Sequence, residues 1–147
     1  MVYNETVINI YINGDFMCYY IYGALFGDVD ENEYSAIENK YELKIRKGTK
    51  HSLKKSVQEV SEQYRVTNWC CDCDSALGGK DSETQEIKMY EAFLNDIKGL
   101  NGAKYIYLCK TWAGKTNKKE IQLKLNDINV GNTLAEFNEN CLYTFEV

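Results

Sequence analysis

Three of the six cysteines lie together in the stretch NWCCDCD, at positions 70, 71 and 73. Cys70 and Cys73 form a CxxC pair, a spacing at which a tight turn can direct two thiolates at one tetrahedral zinc ion. A complete zinc site needs two further ligands. The other candidate ligands are isolated along the chain: Cys18, His51, Cys109 and Cys141. The pair therefore predicts a zinc site only if some of these residues converge on it in the fold.

The alternative interpretation makes the same stretch a buried strand from Val66 to Cys73. With a two-residue period, Trp69, Cys71 and Cys73 would face the core, because cysteine packs as a small hydrophobe. Asp72 would then lie on the solvent side. A redox role for the pair is disfavoured, since redox CxxC pairs normally begin a helix and the residues that follow, SALGG, begin one poorly. The sequence favours the buried strand over the zinc site.

The segment DVDENEYSAIEN places Asp28, Asp30 and Asn32 at the first, third and fifth positions of a calcium loop. Such a loop also needs glycine at the sixth position and a bidentate glutamate at the twelfth. Those positions hold Glu33 and Asn39. The segment is therefore predicted to be an exposed acidic loop.

Catalytic motifs are incomplete throughout the sequence. The segment WAGKT ends like a phosphate-binding loop, but Cys109 stands where the first glycine should be, and a strand pattern follows instead of a helix. His51 is the only histidine, and no serine lies in a GxSxG pattern. These absences favour a protein without catalytic activity.

The hydrophobic pattern predicts the elements that must position these residues. Alternating or continuous apolar runs indicate seven strands, and two longer stripes of apolar residues indicate helices, the second with a capping box at Ser82 and a stop at Gly99. The predicted strands are 6–12, 16–26, 41–46, 66–73, 103–112, 120–127 and 142–147. The two main helices are 49–64 and 82–98, and a short helix is predicted at 134–137. Hairpin signals at both ends favour a single α+β domain over residues 1–147, with a mainly antiparallel β-sheet and two main helices packed on one face.

Tyrosine is unusually frequent, with twelve residues in a chain of 147. Strand alternation places five of them, Tyr11, Tyr20, Tyr22, Tyr105 and Tyr107, on the sheet face opposite the isoleucines, where they either form an exposed surface or pack into a second core layer. Acidic residues are predicted to surround this face. The candidate partner-binding residues are Tyr20, Tyr22, Tyr105, Tyr107, Asp28, Asp30, Glu31, Glu33, Asp72 and Asp74.

Charge and composition limit the possible partners. A net charge of −5 and a pI near 5.0 disfavour direct binding of nucleic acid and suit a basic protein partner. No signal peptide or membrane-spanning run is evident, so a cytoplasmic location is predicted. The leading hypothesis is an inhibitor or immunity protein that neutralises a basic effector such as a nuclease toxin. The alternatives are a zinc-binding domain that uses Cys70 and Cys73, and a phage or mobile-element inhibitor of a host defence enzyme.

Overall fold

The computed structural model describes residues 18–53, 61–113 and 115–147. The predicted first strand, 6–12, lies outside these residues. The described residues contain five strands, β1 (Tyr19–Gly27), β2 (Arg46–Lys47), β3 (Ala103–Trp112), β4 (Lys119–Lys124) and β5 (Cys141–Glu146). They also contain three α-helices, α1 (Glu31–Tyr41), α2 (Gln85–Lys98) and α3 (Val130–Ala135). Short 3-10 helices cover Lys50–Leu53, Ser61–Tyr64 and Leu125–Asp127. In the described part of the chain, no helix is long and apolar enough to cross a membrane.

The strands form one sheet in the order β2-β1-β3-β5-β4. The pairs β1/β3 and β3/β5 are antiparallel, whereas β1/β2 and β4/β5 are parallel. The fold is α+β as predicted, but the sheet is mixed rather than mainly antiparallel. The difference arises because β5 lies between β3 and β4, so that the predicted hairpin between those two strands does not form.

The main core lies between the sheet and the helices. Strand alternation directs Ile21 and Leu25 of β1, and Ile106 and Leu108 of β3, to this face. Helix α2 contributes the largest set of buried side chains, at the spacing of an amphipathic helix: Ile87, Tyr90, Phe93, Leu94 and Ile97. The side chain of Thr84 caps its first turn, and Gly99 ends it as predicted. Burial of this apolar stripe is what fixes α2 against the sheet.

The opposite face of the sheet carries a second, smaller core. Tyr20 and Tyr22 of β1 pack there with Tyr107 of β3, and all three are buried. Leu53, from a 3-10 helix, is buried among them. The tyrosines therefore lie on the predicted face, but in a packed second layer.

The predicted acidic loop at 28–33 is wrong, since helix α1 begins at Glu31. Asp30 is its N-cap, and its carboxylate accepts hydrogen bonds from the backbone N–H groups of Asn32 and Glu33. Acidic residues in a first turn also interact favourably with the helix dipole. The hydroxyl of Tyr41, in the last turn of α1, donates to Asp96 of α2 at 2.7 Å and ties the two helices together.

Three further predictions are corrected in the part of the chain around and between α1 and α2. A strand was predicted at 41–46, but the strand found there, β2, is only Arg46–Lys47. Leu43 and Ile45 are nevertheless buried, as their alternation indicated. The predicted helix 49–64 is represented by the two 3-10 helices at its ends, and residues 54–60 lie outside the described part of the chain. The predicted strand 66–73 is an irregular loop. An isolated bridge between Arg65 and Tyr22 precedes it, and backbone hydrogen bonds from Val66 to Ile21 and from Asp72 to Tyr19 join it to β1.

Candidate metal centre

Asp72 anchors the loop that carries the clustered cysteines. Its side chain is fully buried and accepts hydrogen bonds from the Ile21 backbone N–H at 2.7 Å and the Thr67 hydroxyl at 2.6 Å. A guanidinium nitrogen of Arg65 lies 3.5 Å from the same carboxylate. The Asp72 backbone N–H donates to the carbonyl of Tyr19 at 2.9 Å. The loop is thus fastened to the beginning of β1 by a buried carboxylate rather than by strand pairing.

The orientation of Asp72 reverses the predicted alternation. Asp72 was expected on the solvent side and is buried, whereas Trp69 and Cys73 were expected in the core and are exposed. Cys71 is half-buried and packs at the margin of the second core. The physical reason is the satisfaction of buried polar groups, since the N–H of Ile21 finds its acceptor in this carboxylate.

Three thiols meet beside this anchor. The Sγ atoms of Cys18, Cys71 and Cys73 all lie within 4.8 Å of one another. Cys18 precedes β1, whereas Cys71 and Cys73 flank Asp72, so the buried carboxylate holds the two parts of the chain in register. Cys70, the other half of the predicted pair, is exposed and does not belong to the group found among the described residues.

Backbone N–H groups donate hydrogen bonds to the sulfur atoms of Cys71 and Cys73. The backbone N–H of Tyr19 donates to Sγ of Cys73 at 3.3 Å. The backbone N–H of Cys73 donates to the sulfur of Cys71 and lowers the pKa of that thiol. Burial, together with the neighbouring Cys71, raises the pKa of Cys18 to about 12. Within the cluster, the thiolate form is therefore favoured more at Cys71 than at Cys18.

The cluster suits a thiophilic metal ion. Tetrahedral zinc with Zn–S bonds of about 2.3 Å brings its sulfur ligands to about 3.8 Å from one another. The observed separations, at most 4.8 Å, exceed that distance by no more than about 1 Å. Thiolates select zinc, copper(I) or iron over calcium and magnesium, which prefer oxygen ligands.

The predicted partner-binding residues fall into three groups. Four of them are buried and pack inside the protein: Tyr20, Tyr22, Tyr107 and Asp72. Tyr105 is half-buried, and Asp74 is exposed on the cysteine loop. The remaining four are exposed around the beginning of α1: Asp28, Asp30, Glu31 and Glu33.

A groove that the sequence analysis did not identify lies beside these four acids. It has a volume of about 610 Å³. The end of β1, the end of β2 and the turn into β3 line it with both apolar and polar groups. Phe26 lies in its wall and is 40% exposed. The groove and the acidic turn share Asp28, so an apolar surface adjoins a negatively charged one.

Comparison with protein-family models, with curated proteins and with solved structures finds no match to this chain. The chemistry of the thiol cluster and of the exposed surfaces is therefore the basis for the functional argument.

Proposed function

We propose that this protein is a metal-binding domain in which Cys18, Cys71 and Cys73 hold a zinc ion or another thiophilic divalent ion. The observation that supports the proposal is the convergence of three thiols from two distant parts of the sequence within 4.8 Å. Backbone N–H donors to Cys71 and Cys73 support it further, because metal-bound thiolates carry charge that such donors stabilise.

The metal would clip the beginning of β1 to the cysteine loop. Three protein thiolates leave a fourth coordination position for water or for a ligand from outside. Binding energy that requires the folded arrangement of the thiols adds to the free energy of unfolding. The domain is therefore expected to be more stable with metal than without it.

Cobalt(II) titration under reducing conditions tests the proposal. Saturation at one ion per chain, with thiolate-to-metal charge-transfer absorption and release of protons, is the expected result. Zinc should displace the cobalt. Absence of charge-transfer absorption at saturating cobalt would overturn the proposal.

Single serine variants identify the ligands. Cys18→Ser and Cys73→Ser should each abolish the charge-transfer absorption or weaken cobalt binding strongly. Cys70→Ser is the matched control, because Cys70 lies on the same loop and is exposed. If Cys70→Ser abolishes binding and Cys18→Ser does not, the three-thiol site is wrong.

A second candidate function is protein binding, favoured by Phe26 and the acidic turn. An exposed aromatic side chain in an apolar groove is typical of a protein interface, and the adjoining acids suit a basic partner. We propose on this basis that the domain inhibits a basic effector, as an immunity protein neutralises a nuclease toxin. A host defence enzyme as the target remains the alternative, and it would use the same surface.

Association kinetics with a basic protein that co-purifies from the source cells test this second function. Glu33→Lys should slow association at low salt, and Phe26→Ala should speed dissociation. Glu136→Lys is the matched control, because Glu136 is exposed beyond the end of α3. Equal association rates for Glu33→Lys and Glu136→Lys would contradict a role for the acidic turn.

A further inference from the structure

A second cavity adjoins the cysteine loop, and its lining includes Arg65 and Thr67, which both contact Asp72. It has a volume of about 440 Å³, within the range of small-molecule sites. Its lining is mainly polar, and it consists of Lys44, Arg46, Gln63, Arg65, Thr67, Asn68, Trp69 and Cys70.

The charge of this cavity differs from that of the whole protein. The chain has 22 acidic and 17 basic residues, and only two of the basic residues are arginine. Both arginines, Arg46 and Arg65, line the cavity together with Lys44, and no carboxylate appears among its described lining residues. An acidic protein therefore concentrates its arginines around one concave site, which favours an anionic ligand.

The two arginines have different roles. Arg65 is buried, and its guanidinium donates to the carbonyl of Trp69 at 2.6 Å and approaches Asp72. It is a positioning residue that holds the backbone of Trp69. Arg46 and Lys44 are exposed, and they lie two residues apart, so an extended backbone directs both side chains to the same side.

Trp69 provides an aromatic surface beside these charges. Its side chain is 48% exposed. It lines the basic cavity and also a neighbouring cavity of about 340 Å³, whose lining includes Leu43, Met89 and Tyr90. The hydroxyl of Tyr90 is buried and has no hydrogen-bond partner among the described residues. Trp69 thus borders both a basic cavity and a more apolar one.

We propose that this site binds a small ligand that combines a phosphate group with a planar ring, of the nucleoside monophosphate class. The phosphate would contact Lys44 and Arg46, since guanidinium groups bind phosphate oxygens through paired hydrogen bonds. The ring would stack on Trp69, because base–indole stacking is favourable for every base. The amide side chains of Gln63 and Asn68 are available for hydrogen bonds to the ring or the sugar.

Calorimetric titration with three probes tests the combination of charge and ring. Adenosine monophosphate should bind one to one, with quenching of tryptophan fluorescence. Adenosine and inorganic phosphate should each bind roughly ten- to a hundred-fold more weakly, because each lacks one of the two contacts. Equal binding of phosphate and adenosine monophosphate would overturn the role of Trp69, and no heat with any probe would overturn the site.

Matched variants locate the contact. Arg46→Ala should weaken binding of adenosine monophosphate roughly tenfold or more. Lys47→Ala is the control, because Lys47 is the next residue of β2, also exposed, and lines the other groove. Trp69→Leu should weaken binding in calorimetry and remove the ligand-dependent quenching. Equal effects of Arg46→Ala and Lys47→Ala would show nonspecific charge attraction and overturn the proposal.

The site does not depend on the metal proposal, and Cys18→Ser distinguishes the two. This variant should lose cobalt binding and retain binding of adenosine monophosphate, since Cys18 does not line the cavity. Failure of ligand binding in a chain that binds metal normally would overturn the anion site alone.

Discussion

Replacement of Asp72 by alanine should be the most destabilising single change in the cysteine loop. The substitution removes the acceptor for the Ile21 N–H and the Thr67 hydroxyl and the carboxylate that faces Arg65. Both members of the ion pair are buried, with side-chain exposures of 0% for Asp72 and 8% for Arg65. The loss of one partner therefore leaves uncompensated polar groups in the interior.

The magnitude follows from these contacts. Hydrogen bonds to a charged group contribute about 1.5–3 kcal/mol each, and removal of one partner from a buried ion pair costs about 3–5 kcal/mol. The contributions overlap because all of them involve the same carboxylate. We expect the free energy of unfolding to fall by about 3–5 kcal/mol, out of the roughly 5–15 kcal/mol typical of a domain.

Urea unfolding at pH 7 in the presence of chelator measures this loss without a contribution from metal. Asp72→Asn should cost less than Asp72→Ala, because the amide oxygen still accepts one hydrogen bond. Thr67→Val supplies a milder test, with an expected loss of about 1–2 kcal/mol from a single hydrogen bond. It remains measurable if the alanine variant fails to fold.

Asp74→Ala is the control, since Asp74 is an exposed aspartate on the same loop. It should change the free energy of unfolding by less than about 0.5 kcal/mol. A loss below about 1 kcal/mol for Asp72→Ala, equal to that of the control, would refute the argument that the buried carboxylate fastens the loop to β1.

Two further predictions concern the packing of the sheet and the helices. Gly23→Ala should lower the free energy of unfolding in urea by about 1–3 kcal/mol, because the added methyl group would lie 2.7 Å from a side-chain carbon of Ile45. A change near zero would show that the core can relax there. Asp96→Asn should lower the urea midpoint at neutral pH, because the hydroxyl of Tyr41 lowers the pKa of Asp96 and stabilises its charged form. A carboxylate whose pKa is lowered by folding stabilises the folded state above its ordinary pKa of 3.8, and this stabilisation is lost as the pH falls through the lowered pKa. The difference in urea midpoint between wild type and variant should therefore shrink below pH 3.8 and should not grow.

The sequence predicted those elements whose residues obey a single local rule. Strand β3 occupies 103–112 as predicted, because its alternation is long and uninterrupted. Helix α2 ends at Gly99 as predicted, but it begins at Gln85 with Thr84 as its cap instead of opening at Ser82. Local periodicity and capping were sufficient for these elements, with errors of a few residues at their ends.

Helix α1 was missed because its apolar stripe is narrow. Tyr34 is its only buried residue, and the acids at its start resemble an incomplete calcium loop. The available signal was Asp30 as an N-cap followed by acidic residues at the first helical positions. That signal was outweighed by the absence of a strong hydrophobic period.

The thiol cluster could not be predicted from spacing alone. Cys18 is distant from Cys71 and Cys73 in sequence and meets them only in the folded protein. The short-range CxxC pattern instead predicted Cys70 as the partner of Cys73. The burial of Asp72 was equally inaccessible, because its partners are a backbone N–H of β1 and a side chain five positions earlier. Strand periodicity assigns a charged residue to solvent unless its partners are known.

The position of β5 between β3 and β4 has a consequence for synthesis on the ribosome. Strand β4 leaves the ribosome before β5, yet β5 is the strand with which it pairs. Until β5 has emerged, β3 and β4 both expose backbone groups that could pair with another chain. Released chains truncated between residues 124 and 141, which contain β4 and lack β5, should therefore associate more readily with one another and with chaperones than chains in which β5 is complete.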